Sequence, residues 1–283
     1  EVWAIFVKKI IVYYFLPPNC TAHSSSKELL QFLSPDGVLY LIMHRPQVHN
    51  AFNGEQIKNM TLALEKAAEN EDVKVLVLTG AGTNFCAGGD INYMKKIGHN
   101  SFEENKEDAQ ALAFLMNSLH EFPKPTIARV HGAAYGGGVG IVCCCDMAFG
   151  TKETKLCLSE VKIDMVPATI GPYVIKAIGL RNAHRLMLTA EVMQGQQAVD
   201  CQFLSGIFAL EKFNEKVNDL AAKITKNAPT AMEITKALLL NLAHQSIDDG
   251  VIDYTADVIA TVRESKEGKE GLTAFLEKRK PRF

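Results

Sequence analysis

Residues 131–146 read HGAAYGGGVGIVCCCD, three consecutive glycines running into an apolar stretch that carries three consecutive cysteines. Residues 80–90 read GAGTNFCAGGD, a second glycine-rich turn. Each follows a short apolar run, VKVLVLTG (73–80) and PTIARVHG (125–132). Continuous apolar runs that stop at glycine are the pattern of strands buried on both faces. Between and before them Ile57, Met60, Leu64 and Ala67 recur at helical spacing up to Asn70, and a second helix is expected over Lys106 to His120. Strand, helix, strand, helix predicts an α/β layered domain with parallel strands, whose strand-end loops carry ligands.

Upstream, LLQFLSPDGVLYLIMHRP (29–46) alternates around Pro35-Asp36-Gly37, a hairpin signal. From about Asn214 the pattern is helical only, with Leu220, Ile224, Ile234, Leu238 and Leu239 on apolar faces and a last helix reaching Lys280. The division expected is an extension over 1–26, poorly ordered, a core over 27–213, and a helical region over 214–283. Ser24 to Ser26 read as the linker, and the apolar run Ile10 to Leu16 is too short to span a bilayer.

Thirty basic against 32 acidic side chains leave a formal charge of −2, without the electrostatic footprint of a nucleic-acid binder. Small molecules or proteins are the expected partners. Seven cysteines, an odd number without C-x-x-C or metal-type spacing, point to a reducing compartment. Cytoplasmic placement, or the mitochondrial matrix in a eukaryote, is the expectation.

Several motifs fail on single residues. A dinucleotide fingerprint beginning at Gly80 would need its third glycine where Phe85 stands, and neither glycine cluster supplies the Gly-Lys-Ser/Thr of a P-loop. G-x-S-x-G and H-E-x-x-H are absent, so a serine-hydrolase elbow and a zincin site have no support. His131 reads as a structural histidine at a strand end, and Cys143, Cys144 and Cys145 as small core residues. What remains is two turns, Ala87-Gly88-Gly89-Asp90 and Gly136-Gly137-Gly138, that can offer bare N–H groups to one acceptor. Two converging N–H groups make an oxyanion hole, aided at Gly137 by a helix N-terminus. Tight turning and close helix packing account for the same glycines equally well.

At these residues the chain resembles the enoyl-CoA hydratase/isomerase (crotonase) superfamily, over about Lys27 to Phe283. Arg45-Pro46 with Asn50-Ala51-Phe52 resembles the family's opening segment. FCAGGD (85–90) is similar to its first turn and HGAAYGGG (131–138) to its second. Ser159-Glu160 with Pro167 resembles its carboxylate segment, and FLEKR (275–279) its C-terminus. The resemblance implies a spiral of ββα units with a helical C-terminal trimerisation region, assembled as a homo-trimer or homo-hexamer. It places Gly89 and Gly137 as the oxyanion-hole donors to an acyl-CoA thioester and Glu160 as the acid/base. Asn50, Ala51, Ala87, Gly88, Asp90, Ile91, Asn92 and Gly136 would line the substrate channel, and Lys278 would reach CoA phosphate. No metal or redox cofactor is implied.

Three departures qualify the resemblance. Well-known hydratases carry a second glutamate three residues after the middle glycine, where this chain has Gly140. Two carboxylates activate a water, whereas one more simply relays a proton between C2 and C4. Asp164 stands where the family usually has glycine and is a candidate helper, and Asn92 replaces a lysine. LSEVKIDMVPATIGPYVIKAIG (158–179) resembles the branch hydrating branched or carboxylated enoyl-CoAs such as 3-methylglutaconyl-CoA, in which this glycine is usual. The expectation is therefore a hydratase, with Gly140 leaving room for such a chain. A delta-isomerase and a non-catalytic acyl-CoA binder are the alternatives.

Overall fold

A computed structural model describes residues 15–23, 26–243 and 245–283. In chain order the strands are β1 (Thr21–Ala22), β2 (Leu29–Leu33), β3 (Val38–Met43), β4 (Val75–Gly80), β5 (Thr126–Arg129), β6 (Ala133–Tyr135), β7 (Met147–Gly150), β8 (Lys155–Cys157), β9 (Met193–Gln194) and β10 (Gly206–Ile207). The helices are α1 (Gly54–Glu69), α2 (Ile91–Ile97), α3 (Phe102–His120), α4 (Gly137–Cys144), α5 (Gly171–Thr189), α6 (Gln196–Asp200), α7 (Phe213–Ile224), α8 (Pro229–Leu242), α9 (Asp249–Glu264) and α10 (Lys266–Leu276).

Among the described residues the larger sheet runs β1-β2-β3-β4-β5-β7-β10. It is parallel from β3 to β10 and antiparallel at its β1–β3 edge. The Pro35-Asp36-Gly37 signal is the β2–β3 hairpin, closed by Ser34 N–H to Val38 O at 2.9 Å with Gly37 at φ 89°. β3, β4 and β5 are buried throughout, as their continuous apolar runs require.

A smaller sheet, β6-β8-β9, crosses the chain's path, and single-residue parallel bridges Cys86 to Ala134 and Phe52 to Gly89 extend its pattern. Each turn of the chain thus gives a strand to the large sheet, a short strand or bridge to the second layer, and a helix, a spiral of the kind the resemblance implies. Both glycine turns lie where the second layer passes into a helix. α3 begins four residues before the expected Lys106 because Ser101 and Glu104 form a capping box there.

The expected extension over 1–26 does not hold for residues 15–23; residues 1–14 and most of the Ser24–Ser26 linker lie outside the described residues. Phe15 and Leu16 are buried against α7 and the sheet, and the Phe15 ring meets Tyr40 edge-on at 5.4 Å. Arg129 is held between the rings of Phe15 and Phe213, 4.5 Å from each centroid, and binds Asn214. Asn218 Nδ2 donates to Phe15 O at 2.9 Å. Two apolar side chains that close a core face need no further reason to be ordered.

The C-terminal helices differ in kind. α9 has no buried residue and α10 only Ala274, although Ile252, Ile259, Leu272, Phe275 and Leu276 are apolar and exposed.

Candidate active site

The site is built by register. Parallel pairing sets Tyr135 opposite Cys157, so Gly136 donates its N–H to Cys157 O at 2.9 Å. Glu160, three residues past Cys157, therefore opens its 3-10 turn (Glu160–Ile163) beside Gly136. A Cβ on Gly136 would stand 3.1 Å from Glu160 Oε1. Gly136 has φ 50° and ψ −120°, which a side chain would strain, and it caps α4 so that Gly137 is the first helical residue.

The first turn is laid alongside the second by the Cys86 bridge. Cys86 N–H donates to Ala133 O at 3.1 Å, and Cys86 O accepts from Tyr135 N–H at 2.9 Å. Gly88, at φ 91°, brings its Cα so near that a Cβ would lie 3.0 Å from Tyr135 O. On the next residues Phe52 N–H donates to Gly88 O and Asp90 N–H donates to Phe52 O. This alternation turns the N–H of Gly89 away from Phe52. Among the described residues neither Gly89 N–H nor Gly137 N–H has a hydrogen-bond partner. The Phe52 ring lies against the second turn, 3.2 Å from where a Gly137 Cβ would be. Phe52 is the spacer between the two glycines, a role that its place in the N-A-hydrophobic motif left unseen.

Glu160 is half-buried, and burial raises its carboxyl above the ordinary carboxylate range. Its Oε2 is buried without a hydrogen-bond partner. The Glu160 carboxyl, the Gly136–Gly137 turn and the Gly88–Gly89 turn are thus brought together at one place in the fold.

The remaining candidates divide. Asp90 is a brace: its Oδ1 caps α2 through Asn92 N–H at 2.8 Å, and its Oδ2 takes Arg45 Nη2 at 2.8 Å. Asn50 is also a brace and a correction to its expected place in the channel. It is fully buried at φ 57°, accepting from Arg45 N–H and donating to the carbonyls of Ala81 and Asn84. Ala51 is buried with its carbonyl on Arg45 Nη1, while Ala87 is half-buried and Ile91 and Asn92 are exposed at the mouth of the turn. Lys278 is exposed at the end of α10, and no hydrogen bond or ion pair joins it to either turn among the described residues.

Gly140 is the clearest correction. A Cβ there would come 2.3 Å from Ile170 Cγ2, 2.8 Å from Ile170 Cβ and 3.2 Å from Met116 Cε. The bare position is filled by packing, so it leaves no room for an acyl chain. Asp164 is exposed, at φ 58°, and its N–H closes the Glu160–Ile163 turn onto Glu160 O. His131 is structural: its Nδ1 receives Arg129 Nη1 and its Nε2 faces Gly82 O. Burial and then the Arg129 charge push it down to about 4. Cys144 is buried and its neighbours are partly so; burial pushes the Cys145 thiol up to about 12.

Residues 34–283 match the family model described as enoyl-CoA hydratase/isomerase. An enoyl-CoA hydratase structure from Shewanella pealeana is 41% identical, with TM-score 0.87, covering 90% of this chain and 96% of that one. One from Mycobacterium smegmatis is 27% identical with TM-score 0.86, covering 91% and 99%. The peroxisomal Delta(3,5)-Delta(2,4)-dienoyl-CoA isomerase of Arabidopsis thaliana is 30% identical over 268 residues, 90% of this chain and 96% of its own. A match of this extent, on a spiral whose two glycine turns meet beside one carboxylate, means that the chain belongs to the enoyl-CoA hydratase/isomerase family.

Proposed function

We propose that the protein hydrates a 2-enoyl-CoA, a branched or carboxylated one of the 3-methylglutaconyl-CoA kind, with Gly89 and Gly137 as the oxyanion donors and Glu160 as the acid/base. The observation that supports it is the unpartnered Oε2 of Glu160 at the Gly136–Gly137 turn, where the Gly88–Gly89 turn also packs. As water oxygen bonds to C3, Glu160 takes a proton from that water, and charge moves onto the thioester oxygen. The two N–H groups hold that charge, each contributing about 2.7–4 kcal/mol to the transition state. Glu160 then returns the proton to C2, so one carboxylate balances the addition. The chemistry uses no metal or redox cofactor.

The second reading, an enoyl-CoA delta-isomerase, is favoured by the packing that keeps an acid away from position 140. There Glu160 moves a proton between C2 and C4 with no net change in mass. A panel of straight, branched and carboxylated 2- and 3-enoyl-CoAs, followed by absorbance and mass, separates the two. Gain of one water marks the hydratase. Glu160→Gln is expected to remove nearly all turnover while thioester binding survives; wild-type rates in that variant would refute the assignment. A non-catalytic binder would turn over nothing, wild type included.

Assembly is proposed through the α9–α10 hairpin, whose Phe275 is 80% exposed and Leu276 77%. A homo-trimer or homo-hexamer would cover these side chains and place Lys278 to contact a neighbour's CoA phosphate. Sedimentation is expected to show no stable monomer at micromolar protein. No helix among the described residues is long and apolar enough to cross a membrane. Seven free cysteines support a reducing compartment, the cytoplasm or the matrix.

A further inference from the structure

Gly140 lies in the first turn of α4 and donates its N–H at 3.2 Å to the carbonyl of Gly136, the N-cap of that helix. Four residues of helix separate them by about 6 Å along the axis. At the upper position the missing side chain faces the Glu160 carboxylate; at the lower one it faces Ile170. Ile170 is 2% exposed and is the N-cap residue of α5, so its main chain is fixed by the start of that helix. Its β-branched side chain is therefore pressed onto the bare backbone of Gly140, one turn along from the cap that adjoins Glu160.

We infer that Ile170 and Gly140 form a paired determinant of whether the site holds one carboxylate or two, with Ile170 occupying the volume that an acid on residue 140 would need. This rests on the reading of Glu160 as the acid/base of acyl-CoA chemistry. The pairing makes position 140 closed to any side chain so long as residue 170 carries a Cβ. Ile170→Ala leaves the Cβ that lies 2.8 Å away, so only Ile170→Gly clears the place. Glycine is accepted at a helix N-cap. A glutamate at 140 over a glycine at 170 would stand one helical turn along from Gly136, the position that adjoins Glu160, so that two carboxylates could hold one water between them. That water's hydroxyl would bond to C3 and its proton would pass to C2, as in the one-carboxylate route.

Two measurements test the pair. In thermal unfolding, Gly140→Ala and Ile170→Gly are each expected to lower Tm by several degrees, and the double variant to lie above the sum of the two losses. Additive losses would overturn the steric pairing. In turnover of crotonyl-CoA, followed by mass, Gly140→Glu and Ile170→Gly singly are expected to lose water addition. The double variant is expected to exceed either single one by roughly tenfold or more, about 1.4 kcal/mol in barrier. A double variant no faster than Gly140→Glu would overturn the catalytic half. If the glutamate variant does not fold, Gly140→Asp with Ile170→Gly carries the same comparison. Wild-type silence on every enoyl-CoA with an intact stability coupling would refute the acyl-CoA reading and this catalytic half, while the packing half stands.

Discussion

The two turns that present Gly89 and Gly137 are held by different physics. The first is fixed by charge and polar side chains: Arg45 joins Glu28, Ala51 O and Asp90, and Asn50 ties the loop after β3 to the loop after β4. The second is fixed by backbone and volume, with Gly136 N–H on Cys157 O, Phe52 against Gly137 and Ile170 against Gly140. One turn should therefore fail when a polar partner is removed, and the other when a carbon atom is added.

The largest effect is expected on the polar side. Arg45 and Asp90 have side chains only 11% and 6% exposed, so Arg45→Met strands a buried carboxylate and is expected to cost about 3–5 kcal/mol in denaturant unfolding. A loss under a fifth of that would mean that the turn stands without its ion pair. On the packed side, Gly136→Ala puts a Cβ 3.1 Å from Glu160 Oε1 in a backbone conformation suited to glycine. By displacing Glu160 and the neighbouring Gly137 N–H, it is expected to lower turnover about 10²–10³-fold, a loss the size of one oxyanion donor, with secondary structure retained. Activity within a few-fold of wild type would show that the second turn tolerates added volume.

The smallest effect concerns Glu160, which sits against the packed turn. Burial raises its folded pKa above the unfolded value, so the folded state keeps the proton longer. Its contribution to stability is then fully present below the unfolded pKa and is lost as pH rises through the folded one. Glu160→Gln is expected to melt slightly above wild type at neutral pH, with the gap closing on acidification. A gap that widens on acidification would contradict the burial argument.

The polar turn was more legible in sequence than the packed one, and for a physical reason. Arg45, Asn50 and Asp90 are chemically distinctive residues that stand in recognisable local motifs, although their bracing role appears only when their partners are seen. Gly140 is silent about its neighbour, because nothing thirty residues away marks Ile170 as the side chain that fills the space. The same glycine is consistent with an open pocket or a filled one, and volume is not written along the chain. Strands β4 and β5 were readable from their apolar runs and β2 and β3 from a hairpin signal, whereas β6, β8 and β9 are two or three residues long and take their identity from pairing. Phe15 and Leu16 were misplaced because the faces that bury them belong to strands and a helix formed elsewhere in the chain.

That last contact has a kinetic meaning. Phe15 meets Asn218 across 203 residues, and Arg129 lies between the rings of Phe15 and Phe213 at the centre of the same seam. A contact of such span repays its loop-closure entropy only after the intervening spiral has wound, so it is expected to close after the barrier to folding has been crossed. Interactions made that late govern escape from the native state rather than arrival in it. The aromatic and cationic seam would then act as the latch of the spiral, setting how long each molecule stays folded while hardly affecting how fast it folds.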